Sequence, residues 1–298
     1  MYKKHFGLRE TPFSITPDTA FSFASATFQE ALNTLLIAVK NGEGFIKISG
    51  EVGTGKTLLC RKFLSSLDSS YVTAYIPNPY LEPKTLLIAL GDEIKLKIER
   101  QLDQHLLLKA ITLALLDFAR HGKRVVICLD EAQAMPLETL EALRLLSNLE
   151  TEKRKLLQVV LFGQPELNDK LNQPNLRQLK QRIAFQYDLK PLSREELDYY
   201  VTHRLTVAGH QGGTLFTKAA LAAVYQASGG TPRLINILCH KSLLLVFGEG
   251  KQQVDERHVR LAAKDTPAAI VARRMPWQWI GTVVLGLAAG LGAWVFWR

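Results

Sequence analysis

The run Gly50-Glu51-Val52-Gly53-Thr54-Gly55-Lys56-Thr57 gathers glycines, a lysine and a hydroxyl at the spacing that can grip a triphosphate. The apolar stretch from Phe45 to Ser49 precedes it and a helical pattern follows, which is the strand, loop and helix context that a GxxxxGKT match requires. Glycines let the backbone bend around phosphate oxygens with its N–H groups turned inward. The helix that follows points its positive N-terminus at the same anion. Lys56 is then expected to reach the β and γ phosphates and Thr57 to ligate Mg²⁺, with ATP or GTP as the ligand. A glycine-rich turn that fits the pattern by chance would lack this flanking context.

A second constellation closes the run Arg124 to Leu129, which is followed by Asp130-Glu131-Ala132-Gln133. Unbroken apolar character suits a strand buried on both faces of a parallel sheet, and ligands bind at the carboxyl ends of such strands. Asp130 is expected to hold Mg²⁺ through its water shell, and Glu131 to orient and deprotonate the attacking water. Taken alone, an Asp-Glu pair after a strand would read as a helix cap; the upstream phosphate loop favours catalysis. A third apolar run, Leu156 to Phe162, ends in Gly163-Gln164-Pro165, and if its strand neighbours the Asp130 strand then Gln164 falls beside the γ-phosphate.

Two basic features lie downstream. Asn175 to Arg182 reads as a short helix in which Arg177 or Arg182 could reach a neighbouring subunit's γ-phosphate as an arginine finger. Five positions separate them by about 140° around a helix, so at most one plays that part, and a solvated basic face is the alternative for either. In Gly229-Gly230-Thr231-Pro232-Arg233, Thr231 reads as an N-cap and Pro232 as the first helical residue. Arg233 then lies in a first turn, where the helix dipole disfavours a cation unless an anion is near.

These residues need elements to hold them. Strands are expected near 45–49, 71–76, 124–129, 156–162 and 183–189, alternating with helices near 56–68, 83–96, 101–121 and 136–150. The alternation predicts an α/β fold with a central parallel sheet. After Pro191 the pattern is helical only, near 193–208, 217–228, 232–247 and 254–264, each preceded by Ser, Thr or Asp capping signals. The expected organisation is a nucleotide-binding core over 1–191, a helical lid over 192–264, a linker over 265–276 and a transmembrane helix over 277–297.

The last of these rests on an uncharged run from Trp277 to Trp297, rich in Leu, Val, Ala and Gly, with tryptophans at both ends. As a helix it would be about 31 Å long, close to the hydrocarbon thickness of a bilayer. Arg273 and Arg274 before it and Arg298 after it predict a single-pass inner-membrane protein with its bulk cytoplasmic. Gly286 and Gly290 form a GxxxG that permits helix pairing. The chain has 298 residues, three cysteines without metal or disulfide spacing, and a net charge of +9 spread along its length. A disulfide scaffold and a zinc site are thereby not indicated, and charge alone assigns no partner.

The set GEVGTGKT, LDEAQ, GQPEL, LRQLKQRI and GGTPRLIN, preceded by His5-Phe6-Gly7-Leu8 and by Thr11 to Asp18, resembles the AAA+ ATPases of the ExeA/GspA type. Within that type it is most similar to the short MshM branch associated with mannose-sensitive haemagglutinin pilus biogenesis. The resemblance implies a P-loop AAA+ core, a helical lid, ATP and Mg²⁺ as ligands, and self-association into a ring or other oligomer. It also implies work with inner-membrane proteins that assemble a type IV pilus or type II secretion machinery. By motif match Gly50 to Thr57 would be Walker A, Asp130 and Glu131 Walker B, Gln164 sensor I and Arg233 sensor II, while Pro12 to Asp18 resembles a linker that borders the adenine. Sensor I is often a shorter Asn or Thr. A DNA-associated AAA+ ATPase of the transposition-helper or origin-recognition kind is the alternative, although no helix-turn-helix module is evident and specific nucleic-acid binding is not expected.

Overall fold

The structure is a computed structural model that describes residues 2–97, 101–151 and 154–270. Helix α1 (Ala26–Asn41) starts at an N-cap Ser25, whose side chain accepts from Phe28 N, and stops at Gly42 in the left-handed conformation. It is followed by β1 (Phe45–Ser49), α2 (Lys56–Ser66), β2 (Tyr71–Ile76), α3 (Pro83–Glu93), α4 (Gln104–Arg120), β3 (Arg124–Leu129) and α5 (Leu137–Leu146). A short hairpin, β4 (Glu150–Thr151) and β5 (Arg154–Lys155), leads to β6 (Leu157–Gly163), then α6 (Glu166–Leu171), α7 (Arg177–Gln181) and β7 (Ile183–Asp188).

The central sheet is parallel, in the order β2-β3-β6-β1-β7. Strands β1, β3 and β6 are almost wholly buried, as their Val, Ile and Leu content dictates for strands covered on both faces. On one face Ile46, Ile48, Val126, Cys128, Val160 and Phe162 pack on α1 and α2. The alternate residues, such as Phe45, Ile127 and Leu161, pack on α3, α4 and α5. Because the side-chain period in a strand is two, this alternation also fixes the register, which sets Ser49 beside Gly163 and Leu129 beside Leu161. The carboxyl ends of β1, β3 and β6 therefore open onto one crevice.

Beyond the sheet, α8 (Arg194–Val207), α9 (Lys218–Ser228), α10 (Pro232–Gly248) and α11 (Glu256–Lys264) form a helical bundle. Capping boxes at Ser193 and Asp255 and an N-cap at Thr217 start three of these helices. The first part of the chain joins this bundle: Tyr2, Phe6, Leu8, Phe13 and Phe21 are buried against Leu197, Phe216, Ile235 and Leu243. Buried Arg204 of α8 ties the segment down, donating to Pro12 O at 2.5 Å and Ser14 O at 3.5 Å, while Asn236 of α10 donates to Ser14 O at 3.2 Å.

One expectation is corrected. The single-pass inner-membrane placement required a spanning helix, and no helix among the described residues is long and apolar enough to cross a membrane. The longest, α4 and α10, have 17 residues each, about 26 Å of helix against the roughly 30 Å hydrocarbon core of a bilayer. The run 277–297 that suggested the span, and its GxxxG, lie outside the described residues.

Candidate active site

Helix α2 begins at Lys56, so the phosphate loop is the short connection from the end of β1 to the first turn of α2. Two of its glycines are required by close approach. A Cβ on Gly50 would lie 2.7 Å from Leu189 O, and one on Gly53, at φ +83, would lie 2.6 Å from Arg233 Cβ. Thr54 closes the loop by donating to Glu51 O at 2.9 Å. Lys56 is folded back over the loop, its Nζ donating to Gly50 O at 2.7 Å and to Glu51 O at 3.0 Å. Burial pushes its pKa down, opposed by the nearby Glu131, Asp130, Glu51 and Glu166 carboxylates. A buried ammonium that meets only carbonyls among the described residues is poised to exchange them for phosphate oxygens.

Strand β3 delivers Asp130 to the same place. Thr57 Oγ1 donates to Asp130 Oδ2 at 2.6 Å, Glu131 N donates to Oδ1 at 3.0 Å, and Tyr75 OH at the end of β2 lies 3.4 Å from Oδ2. Burial raises the Asp130 pKa, while the Thr57 and Glu131 donors hold it down. Tyr75 is itself pushed up to about 12, chiefly by burial and then by Asp130. A hydroxyl and a carboxylate side by side are hard oxygen donors, a pair that fits Mg²⁺.

Glu131 adopts φ 55, a left-handed conformation uncommon outside glycine. Its Oε2 accepts from Gln133 Nε2 at 2.6 Å and from Gln164 Nε2 at 3.0 Å. Gln164 N in turn donates to Gln133 Oε1 at 3.0 Å. Gln164 thus stands beside Glu131, on which its side-chain amide is spent. Arg233 comes to the site from the helical bundle: it is exposed in the first turn of α10, and its backbone N–H donates to Gly53 O at 3.2 Å.

The structure therefore brings together Gly50 to Thr57, Asp130, Glu131, Gln164 and Arg233. Arg177 and Arg182 stay apart from them. Arg177 is exposed and its guanidinium makes no hydrogen bond or ion pair among the described residues, its backbone N–H alone donating to Pro174 O, whereas Arg182 donates to Ser147 Oγ at 2.8 Å and to Arg144 O at 3.4 Å. A small cavity abuts Thr54 and is walled by Phe21, Phe28, Leu58, Tyr200 and Pro232, with the cations of Lys190 and Arg204 also lining it. Phe21 and Phe23, not Pro12 to Asp18, supply the N-terminal side of that cavity. The carbonyls of Pro12 and Ser14 instead receive Arg204, and that of Pro17 receives Arg61 at 3.1 Å. Sequence reasoning missed Tyr75 and the aromatic wall, because neither has a local signal. Gln133 had one, standing two residues beyond Glu131 in the motif that follows β3.

A family described as AAA domain matches residues 39–171. The chain is 43% identical over 291 residues to General secretion pathway protein A of Aeromonas hydrophila, which covers 98% of this chain and 52% of that protein. It thus spans about half the length of the curated relative that it matches. Among solved structures it is similar to Cdc6p from Pyrobaculum aerophilum, with a TM-score of 0.64 at 17% identity, covering 83% of this chain and 70% of that one. The ORC2 protein of Aeropyrum pernix in its ADP form gives a TM-score of 0.61 at 17% identity over 83% and 72%. The RuvB branch migration motor of Thermotoga maritima gives 0.55 at 17% over 83% and 73%. At such identities these structures speak for the fold alone. The motifs, the five-stranded parallel sheet and the matched AAA domain give this chain an α/β P-loop fold of the AAA+ kind, and along nearly all of its own length it is similar to General secretion pathway protein A.

Proposed function

We propose that this chain hydrolyses ATP with Mg²⁺ and that the hydrolysis serves assembly of type II secretion machinery or of a type IV pilus of the mannose-sensitive haemagglutinin kind. The observation that carries the chemistry is the 2.6 Å contact between Thr57 Oγ1 and Asp130 Oδ2 beside the buried Lys56 ammonium, because it sets the two Mg²⁺ donors at the mouth of the phosphate loop. Thr57 and Asp130 would hold the ion, which when bound neutralises charge shared by the β and γ phosphates. Glu131 takes a proton from the water that attacks the γ-phosphorus as the bond to the β-phosphate oxygen breaks. Lys56 and Arg233 balance the charge on the phosphoryl oxygens. Arg233 sits on the lid and touches the loop, so lid position and phosphate state are linked through it.

Residues 1–191 serve as the core and 192–264 as the lid, with the N-terminal segment bridging them. The chain works as a ring or other oligomer in which Arg177, whose guanidinium is free of protein partners among the described residues, acts on a neighbour's nucleotide. The secretion or pilus role follows from similarity to a general secretion pathway protein. Nothing in the site favours the DNA-associated reading, since the Cdc6p and ORC2 resemblances concern the fold.

Turnover assays test the reading. Lys56→Ala should abolish nucleotide binding, and Glu131→Gln should keep binding while lowering kcat by roughly 10²- to 10⁴-fold, the usual contribution of a general base. Ordinary hydrolysis by Glu131→Gln would remove Glu131 from the mechanism.

A further inference from the structure

We propose that Gln133 is a positioning residue for Glu131, fixing the carboxylate so that Oε1 is the oxygen that takes the proton from the attacking water. This rests on the reading that the site hydrolyses ATP and adds a group to its machinery. Both amide donors, Gln133 Nε2 at 2.6 Å and Gln164 Nε2 at 3.0 Å, converge on Oε2. Among the described residues no group donates to Oε1, which leaves that oxygen for water.

The amide of Gln133 has one orientation available. Its oxygen accepts the Gln164 N–H at 3.0 Å, so its NH₂ must face the carboxylate. Glu131, Gln133 and Gln164 thereby close a ring of hydrogen bonds in which moving any member breaks two contacts. The backbone beneath the ring is also held. Ala132–Ala134 form a 3₁₀ turn, and Lys170 of α6 donates to Gln133 O at 2.6 Å and to Met135 O at 2.7 Å. Glycine at the end of β6 lets that strand lie close to the ring, for a Cβ on Gly163 would lie 2.7 Å from Leu167 Cδ2 and 3.4 Å from Gln133 Oε1. The left-handed backbone of Glu131 is strained, and the hydrogen bonds that converge on its Oε2 help to hold it there.

The geometry also explains the length of Gln164. Its backbone N–H completes the ring while its side chain reaches Glu131, a span that asparagine, one methylene shorter, would not cover from the same position. In the reaction an O–H bond of water breaks and its proton passes to Oε1. The oxygen bonds to the γ-phosphorus, and the electron pair of the cleaved P–O bond leaves with ADP.

The test compares Mg²⁺-ATP turnover by the full chain, by Gln133→Leu and by the isosteric Gln133→Glu, and repeats the leucine change in a Glu131→Gln background under single-turnover conditions. Both single variants should lose roughly 10- to 100-fold in kcat, the scale on which orienting partners act, with KM, Mg²⁺-ADP affinity and melting temperature little changed. In the Glu131→Gln background the leucine change should cost nothing further, because residues that act as a unit are not additive. An unchanged kcat in both single variants, or an equal loss with Glu131 already replaced, overturns the assignment. An unsubstituted chain with no turnover would instead overturn the hydrolysis reading on which it stands.

Discussion

Asp130 is held at a cost. It is 2% exposed, and burial raises its pKa above the ordinary carboxylate value despite the Thr57 and Glu131 donors. A carboxyl whose folded pKa lies above its unfolded one favours the fold below the unfolded value, and that advantage is lost as pH rises through the folded value. Once ionised, Asp130 is therefore a destabilising group until a cation joins it. Asp130→Asn should raise the melting temperature of the nucleotide-free protein at pH 7 by a few degrees, erase that gain near pH 3, and remove Mg²⁺-dependent stabilisation and turnover. A lower melting temperature at pH 7 would show that Asp130 is stabilised by its neighbours instead. The convergence of Lys56, Thr57, Asp130 and Glu131 was legible because each follows a buried strand at its carboxyl end. The contact from Tyr75 was not, since it depends on β2 lying beside β3 in a register that joins Tyr75 to Cys128.

Among the elements, α7 decides between two arginines that sequence left equal. Arg182 is engaged with the end of α5 through Ser147 and Arg144, whereas Arg177 at the opposite end of the helix faces solvent. Arg177→Ala should lower ATP turnover of the oligomer by on the order of 10³-fold, with recovery on mixing with a Lys56→Ala subunit that supplies the missing arginine. Arg182→Ala should instead cost about 1 kcal/mol of stability through the lost Ser147 contact, and leave turnover per folded protomer near normal. The reverse pattern in those assays would exchange the two roles. The strands expected near 45–49, 71–76 and 124–129 are the observed ones, because apolar runs between turn residues leave little choice of boundary. Helix α1 was not anticipated. The chain before β1 carried motif signals that drew the reading elsewhere, although Ser25 and Gly42 bracket the helix clearly in retrospect.

At the scale of the whole molecule, the first residues of the chain complete the core of its far end. Phe13 is 2% exposed and meets the ring of Phe216 edge-on at 5.9 Å, and Phe21 lies under the Arg204 guanidinium at 4.9 Å while also walling the cavity beside Thr54. A nucleotide bound there would touch the N-terminal segment, α2 and the lid together. Phe13→Ala should destabilise the protein by about 3 to 5 kcal/mol, and should weaken nucleotide affinity more than an equally destabilising change under α4, such as Ile111→Ala. Calorimetric binding of Mg²⁺-ADP to both variants checks this; equal affinities would separate the N-terminal segment from the nucleotide site.

The sequence by itself determined the phosphate loop, the acidic pair after β3, the parallel alternation and the helical character of the second half. Each is a local pattern whose physics is complete within a strand, a turn or a capped helix. Tertiary structure alone decided that Gln164 and Gln133 share Glu131, that Arg233 lies against Gly53, that the Arg182 guanidinium is engaged while that of Arg177 meets no partner among the described residues, and that the N-terminal segment joins the core of the helical bundle. These depend on contacts between residues far apart in the chain, and such contacts are set by how sheet faces, helix stripes and unpaired polar groups satisfy one another only once all the elements are packed.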